Sequence, residues 1–329
     1  MLSRVANSIY WMCRYIERAE NVARFISVNL NLFLDIPSEK GKHWEPVVMT
    51  TGDQALFEKN YPDYDKEQVI RFLTFDRSYP NAILTCLAVA RENARTIREI
   101  ISSEMWEHLN NFYLELADKG SPDFALTDPH RFFKIIQMRS HLFTGLMDCT
   151  MSHGEAWNFA RIGMMLERAD KTSRILDVKY FMLLPNADMV NTPFDNIQWS
   201  AVLKSASALE MFRKQYHQVT PRNVAEFLIF DDAFPRSISH CVSKAKTCLG
   251  RINGSSSSLP HNAAEKQLGR LEADLTYTDI DEVIDQGMHE YLDILQTYLN
   301  RVDLAIGTTF FNIQHTAEAL DSQQQQSNG

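Results

Sequence analysis

The sequence predicts an all-α protein, a helical bundle built from a tandem duplication of one helical module. Of 329 residues only 12 are glycine and 11 are proline, which leaves little chain for loops. Apolar residues recur at helical spacing along most of the chain, and no segment alternates in the way that indicates a strand. Two sequence blocks also recur in the same order in both halves, as expected of an internal repeat.

The first repeated block is Ile-Glu-Arg-Ala-Glu at 16–20, which returns as Leu-Glu-Arg-Ala-Asp at 166–170, an offset of 150 residues (167 − 17). The second is Phe-Leu-Thr-Phe-Asp at 72–76, which returns as Phe-Leu-Ile-Phe-Asp at 227–231, an offset of 155 (227 − 72). We therefore predict a first helical repeat and a second one that pack together as one domain, followed by a disordered polar tail. The predicted boundaries are 1–152, 153–315 and 316–329.

Capping residues and breakers set the predicted helices of the first repeat. Ser3 is placed to cap the opening helix, and Pro37 lies just beyond its end. Pro80 is expected in the first turn of a later helix, where its missing N–H is harmless. The predicted helices are 3–35, 54–59, 66–74, 80–116 and 128–151.

In the second repeat the Glu-Arg motif lies on a helix that Pro185 ends. The glycine and four serines at 254–258 predict a flexible loop by composition. The predicted helices are 155–184, 196–215, 222–229, 235–252, 261–274 and 279–311.

The first Glu-Arg helix has one polar stripe. At about 100° per residue, Arg14, Glu17 and Arg24 share this stripe, and a wide apolar face lies opposite. Arg18 sits at the shoulder beside Trp11 and is expected to face another helix. Adjacent residues diverge on a helix, so Glu17 and Arg18 should not pair with each other. Arg14 and Arg24 are the predicted partners of Glu17.

The second copy keeps this stripe in Glu167 and Arg174, with Arg168 again beside the glutamate. One interpretation is structural: an ion pair at the seam of two helices fixes their packing register. The other is functional: the stripe lines a cleft where a glutamate meets a cationic group and the arginines hold a carboxylate or phosphate.

A second basic stripe occurs in only one half. Arg91, Arg95 and Arg98 share a helix face with Ser102. At the offset of 155 these arginines become Lys246, Gly250 and Asn253. The loss indicates a binding role performed once, by the first half, unless the stripe is simply a solvated face.

Two aspartates, Asp76 and Asp231, precede prolines in matching turns. We predict that they accept backbone N–H groups at a helix start, with orientation of an arginine as the alternative. The five cysteines lack the spacing of a zinc site and are expected to be reduced and buried. They are Cys13, Cys86, Cys149, Cys241 and Cys248.

Charge and composition exclude several function classes. A formal net charge of −9 argues against a nucleic-acid backbone as the partner. No segment approaches the ~18 apolar residues of a membrane span, and the N-terminus lacks a signal-peptide pattern, so a cytoplasmic protein is expected. Glycine-rich phosphate loops, a nucleophile elbow and metal-binding helix motifs are missing from the sequence. We therefore expect no metal and no cofactor, and an enzyme is not favoured.

The segment 3–24, with Tyr10, Trp11 and the run 14–20, closely resembles the opening of the bacterial alpha-E family. The resemblance covers most of the chain and includes Ala-Arg-Glu-Asn-Ala-Arg at 90–95. It implies an all-helical fold named for its Glu-Arg motif. Cys13 departs from the pattern because the family usually has glycine there, whereas Gly163 keeps the small residue in the second copy.

The resemblance also implies a setting. Proteins of this family are encoded beside, or fused to, a circularly permuted ATP-grasp protein, often with a transglutaminase-like cysteine protease nearby. ATP-grasp proteins join carboxylates to amines, so three hypotheses follow. The first is a non-catalytic accessory protein of an amide-forming ligase that binds its peptide or carboxylate substrate. The others are an enzyme using Glu17, Arg18 and Arg91 in amide chemistry, with Glu167 and Arg168 in support, and a purely structural oligomerisation module.

Overall fold

The computed structural model describes residues 1–32, 44–183, 193–254 and 259–311. Over these ranges the chain forms α-helices and one π-helical segment, without a strand, which confirms the all-α prediction. None of the helices in these ranges combines the length and the apolar composition needed to cross a lipid bilayer. The predicted disordered tail and most of the predicted serine loop lie outside the described residues.

The first half contains eight helices in the described ranges, and the second half begins at Glu155. The first eight are α1 Ser3–Leu32, α2 Glu45–Met49, α3 Gln54–Asn60, α4 Lys66–Phe75, α5 Ile83–Thr96, α6 Ser103–Leu116, α7 Ser121–Thr127 and α8 Pro129–Thr150. The others are α9 Glu155–Leu183, α10 Pro193–Ser205, α11 Leu209–Gln215, α12 Pro221–Phe230, α13 Ile238–Asn253, α14 Ala263–Tyr277, α15 Ile280–Gln286 and α16 Met288–Ile306, followed by the π-helical segment Gly307–Phe311.

The two longest helices, α1 and α9, form the centre of the bundle. They run parallel, because Tyr10 approaches Gly163 and, four residues further on, Arg14 bonds to Glu167. Helices α5 and α8 cover the other sides of α1, while α13 and α16 cover α9. The apolar face of α1 and its polar stripe are therefore both buried.

Gly163 permits the close approach of α1 and α9. A Cβ atom at this position would lie within 3.0 Å of the carbonyl oxygen of Tyr10, closer than real Cβ atoms come. Cys13, the matching residue on α1, is buried and its thiol lies 4.0 Å from the sulfur of Met147 on α8. The small residue is thus required by packing on α9, whereas a thiol fits on α1.

The predicted helix 80–116 is wrong as a single element. Pro80 lies in the turn before α5 rather than in its first turn, since α5 begins at Ile83. The helix then breaks after Thr96, and Ser102 starts α6 by accepting a hydrogen bond from the backbone N–H of Met105. Ser102 is therefore a helix cap and not part of a binding stripe.

Two other long predictions also divide. The helix predicted at 196–215 is interrupted at Ser207, which has a left-handed backbone with φ of 53°. The helix predicted at 279–311 breaks at Gly287, where φ is 101°. A positive φ cannot continue a right-handed helix, so each break redirects the chain.

Asp76 and Asp231 do not start helices, so that prediction is corrected. Each ends a helix and accepts backbone N–H groups of the following turn, Ser78 for Asp76 and Phe234 for Asp231. The cysteine prediction also needs correction, because Cys149 on α8 is exposed whereas the other four cysteines are buried.

Candidate functional site

The two Glu-Arg motifs bind each other across the α1–α9 seam. Arg18 donates to both carboxylate oxygens of Glu167, at 2.6 Å from Nε and 2.9 Å from Nη2. Arg168 donates in the same way to Glu17, at 2.9 Å from Nε and 2.8 Å from Nη2. Each motif thus supplies the arginine for the glutamate of the other. Paired, parallel hydrogen bonds of this kind fix both distance and orientation.

Both motif glutamates lie deep in the protein. Glu17 is 5% exposed and Glu167 is 0% exposed. A buried carboxylate needs compensation for its lost hydration, and here the arginine of the opposite helix provides it. Both carboxylates are therefore largely shielded from bulk solvent.

The cluster around Glu167 ties the last long helix to the first. Arg14 donates from Nε to Glu167 at 2.9 Å and from Nη1 to Asp303 of α16 at 2.5 Å. Tyr10 donates its hydroxyl to the same aspartate at 2.5 Å. Lys171 lies 3.6 Å from Glu167. Three cations therefore surround one carboxylate at the centre of the bundle.

The cluster around Glu17 includes two further arginines, Arg236 and Arg24. Arg236, from the turn before α13, donates to Glu17 at 3.1 Å and to Glu20 at 2.8 Å. Arg24 also bonds to Glu20, and its other Nη donates to Ser207. The Nε of Arg24 is buried without a hydrogen-bond partner in the described residues.

The buried arginines around them lower the pKa values of the two motif glutamates. Burial alone raises the pKa of Glu17, but the charges of Arg168 and Arg236 outweigh it and lower the pKa to about 2. The pKa of Glu167 is likewise held well below its ordinary value, by Arg18 first and then by Lys171 and Arg14. Both carboxylates are therefore ionised throughout the physiological pH range.

The charges of Arg24 and Arg236 in the cluster around Glu17 are incompletely balanced by the nearby carboxylates. Burial and the neighbouring Arg236 charge lower the pKa of Arg24 to about 9, and burial together with Arg168 lowers the pKa of Arg236 to about 10. His141 on α8 lies 3.3 Å from Glu20, and burial together with Arg24 and Arg236 lowers its pKa to about 4. His141 is therefore neutral at physiological pH.

The predicted partners of Glu17 are wrong. Arg14 bonds instead to Glu167 and Asp303, and Arg24 bonds to Glu20. The stripe faces the stripe of the other helix, so Arg14, Arg18 and Arg168 pair across the seam, while Arg24 pairs along its own helix. The prediction that Glu17 and Arg18 do not pair with each other is confirmed. Glu17 is bound by Arg168, Arg236 and Asn21, and Arg18 by Glu167 and Asn81. Arg174 bonds to Asp170 on its own helix.

Arg91 and Arg95 lie apart from these clusters. Arg91 donates to Asn110 at 2.7 Å, and its guanidinium lies over the ring of Trp106. Glu92 bridges Arg91 and Arg95 with two ion pairs. The structure therefore does not bring Arg91 into contact with Glu17 or Arg18, as the acid–base hypothesis requires.

Sequence reasoning missed Arg236, which bonds to both Glu17 and Glu20. A signal was present, because Arg236 follows Pro235 as Asn81 follows Pro80 in the second repeated block. Asn81 accepts a hydrogen bond from Arg18 at 2.5 Å, so the two residues stand at matching places beside the two motif arginines. Asp303 was also missed, and nothing local in the sequence marks it.

One small cavity touches the Glu17 cluster, lined by Glu17, Glu20, His141, Arg168 and Arg236 among others. Its volume is about 20 Å³. A single water needs ~10–15 Å³ by this measure, so the cavity accommodates one water and no substrate.

Comparison with known proteins identifies one family. Its sequence profile, described as "Alpha-E: A predicted alpha-helical domain with a conserved ER motif", matches residues 1–311. Similar curated proteins include uncharacterised proteins of Mycobacterium bovis, at 23% identity over 288 residues, and of Mycobacterium tuberculosis strain H37Rv, at 22%. Each match covers 82% of this chain and 32% of the relative, so the chain spans about a third of their length. No solved structure matches.

Proposed function

The chain belongs to the Alpha-E family, and we propose that it is a non-catalytic helical accessory protein of a circularly permuted ATP-grasp ligase. In this proposal it works in the cytoplasm, where the ligase finds ATP, and holds the peptide or carboxylate substrate of the ligase. A transglutaminase-like protease is a further proposed partner. Neither a nucleic acid nor a membrane is part of the proposal.

One observation carries the non-catalytic part. Both motif glutamates are buried and already bound by arginines of the opposite helix. A general base must reach the proton it removes, at about 2.6–3.2 Å, and should titrate near the operating pH. Glu17 meets neither requirement, because its pKa is about 2 and the adjoining cavity holds only one water.

The same pairing supports the proposed tandem duplication. If two copies of one module pack about a pseudo-twofold axis, a contact from Arg18 to Glu167 implies a second contact from Arg168 to Glu17. Both contacts are present with similar distances. Asn81 and Arg236, at matching places, mark where the two halves diverged.

Co-purification with the ATP-grasp protein of the same genome tests the accessory role. We expect a stable complex and faster ATP-dependent amide formation when the chain is added, with no turnover by the chain alone. Glu17→Gln, if it folds, should retain this stimulation. A folded Glu17→Gln protein that binds the ligase but no longer stimulates it would instead support the enzyme hypothesis.

Helix α8 favours oligomerisation as a second candidate function. Ile135, Met138 and Leu142 are exposed by 38%, 53% and 51%, and with Gly145 and Cys149 they continue the three- and four-residue spacing of a coiled-coil seam. Gly145 has open space where its Cβ would be. The occupant we propose is α8 of a second copy of this chain.

The charges that flank the seam favour an antiparallel arrangement of the two α8 helices. Lys134 and Asp148 flank the seam near its two ends, and both are exposed. In an antiparallel pair each Lys134 faces the Asp148 of the second copy, whereas a parallel pair would oppose like charges. Sedimentation should show a dimer that Leu142→Glu disrupts and Glu67→Gln does not. A monomer at high concentration would rule out this candidate.

A further inference from the structure

We infer that the groove between α13 and α14 binds a small organic carboxylate with an aliphatic body. The groove has a volume of about 540 Å³, within the ~300–1,000 Å³ typical of small-molecule sites. Its apolar surface comes from Leu249, Leu259, Pro260 and Ala273. These side chains come from both helices and from the end of the connection between them.

Two glycines in helix interiors line the groove. Gly250 lies in α13 and Gly269 in α14, where glycine is less stable than alanine. At Gly163 packing requires the glycine, but a Cβ at Gly250 or Gly269 would meet no atom within 4 Å. Packing within the described chain therefore explains neither glycine. What they do provide is room for a ligand to approach the backbone of both helices.

The corresponding surface of the first half carries a charged side chain. At the offset of 155, Gly250 takes the place of Arg95, whose side chain is bound to Glu92. Lys246 takes the place of Arg91 and keeps the positive charge. The second half has thus exchanged a side chain for open space while retaining a cation at its edge.

The charges of the groove select an anion. Lys266 and Arg270 lie one turn apart on α14, and neither side chain has an ion pair or hydrogen bond recorded within the described ranges. Lys246 on the opposite helix pairs with Glu272. Glu265, the acidic group of the lining, accepts hydrogen bonds from Asn253 and from the backbone N–H of His261. Two available cations on one edge suit a carboxylate, which an arginine can hold through two hydrogen bonds.

The apolar walls then accommodate the aliphatic part of the ligand, since burial of apolar surface supplies affinity that the charges alone lack. This inference rests on the proposed function only for the source of the carboxylate, which would be the substrate of the ligase. Binding by the groove itself is tested with the chain alone.

Isothermal titration with octanoate, against octylammonium of equal chain length, is the direct test. We expect saturable one-to-one binding of octanoate and none of octylammonium. The double variant Lys266→Gln/Arg270→Gln should weaken binding about tenfold or more, the loss expected from removing a charged hydrogen-bonding pair. Gly269→Leu should abolish binding by filling the groove.

Matched controls separate the groove from general effects. Gly145→Leu places the same side chain at an open helical glycine on α8, and Lys244→Gln removes an exposed charge from α13. Both should bind octanoate as the wild type does. Equal binding of the two probes, or wild-type binding by a folded Gly269→Leu protein, would overturn the inference. The ligase partnership would remain to be judged by co-purification.

Discussion

Arg18 on α1 and Glu167 on α9 are joined by two parallel hydrogen bonds in the centre of the bundle. The carboxylate is completely buried, and Arg14 and Lys171 approach it as well. The neighbouring cations stabilise the ionised carboxylate, and the carboxylate in turn links α1 to α9. Removing one member leaves the others without compensation, and this asymmetry yields the first prediction.

Glu167→Gln should destabilise the protein by about 3–5 kcal/mol, because it leaves three cations around an uncharged amide. The measurement is the urea unfolding midpoint with its slope, which together give the free energy of unfolding. Glu67→Gln is the matched control, since Glu67 forms an exposed ion pair with Arg71 on α4. The control should change stability by less than about 1 kcal/mol. Equal effects of the two variants would refute a structural role for the buried pair.

Gly163→Ala should destabilise the protein by about 1–3 kcal/mol, the usual range for overpacking. The added methyl would collide with the backbone of Tyr10, which cannot rotate away as a side chain can. Gly145→Ala on α8 should instead stabilise the protein by ~0.5–1 kcal/mol, because its Cβ meets no atom and the helix gains from alanine. Thermal unfolding of both variants distinguishes these opposite signs. Destabilisation by both would show that the α1–α9 approach is not the cause.

Stability should fall steeply in acid. The pKa of Glu17 is about 2 and that of Glu167 lies well below its ordinary value of 4.5, so folding stabilises the ionised forms. This contribution is complete above about pH 4.5 and is lost as the pH falls toward 2, since the unfolded chain takes up protons first. Urea midpoints measured across that interval should decline, and Glu17→Gln should make the decline shallower. An unchanged slope in the variant would contradict the assignment.

Arg236→Gln should raise the pKa of His141 from about 4 toward its ordinary value of 6.5. Burial would remain, but one of the two arginine charges that oppose protonation would be gone. A proton NMR titration of the His141 ring measures the shift directly. Arg251→Gln, at an exposed position on the same α13 helix, should leave the pKa unchanged. The arrangement around Glu20 would be incorrect if both variants titrate alike.

Local sequence signals located most helices well. The Asp128-Pro129 start predicted the beginning of α8, and the helix predicted at 222–229 matches α12 to within a residue at each end. The failures share one cause, because apolar periodicity continues across the breaks at 97–102, Ser207 and Gly287. At these points the chain turns to pack against neighbours that are distant in sequence.

The site was predicted in part. Seven of the nine candidate residues lie in the two adjoining charge clusters, whereas Arg91 and Arg95 lie elsewhere. The helical wheel placed the charges of each stripe on one face, since that depends only on spacing. It could not supply Arg236 or Asp303 as partners, because these come from the turn before α13 and from α16.

The sequence by itself determined the all-helical class and the face of each central helix that carries charge, since both follow from residue types and helical periodicity. It also determined the family, through the resemblance of its Glu-Arg motif and the segments around it. Only the tertiary structure decided that each motif glutamate is bound by the arginine of the other motif. It also decided that no substrate-sized space adjoins Glu17 within the described residues. The physical reason is that a buried charge takes its partner from whichever element packs nearest, and that proximity depends on how α1 and α9 align.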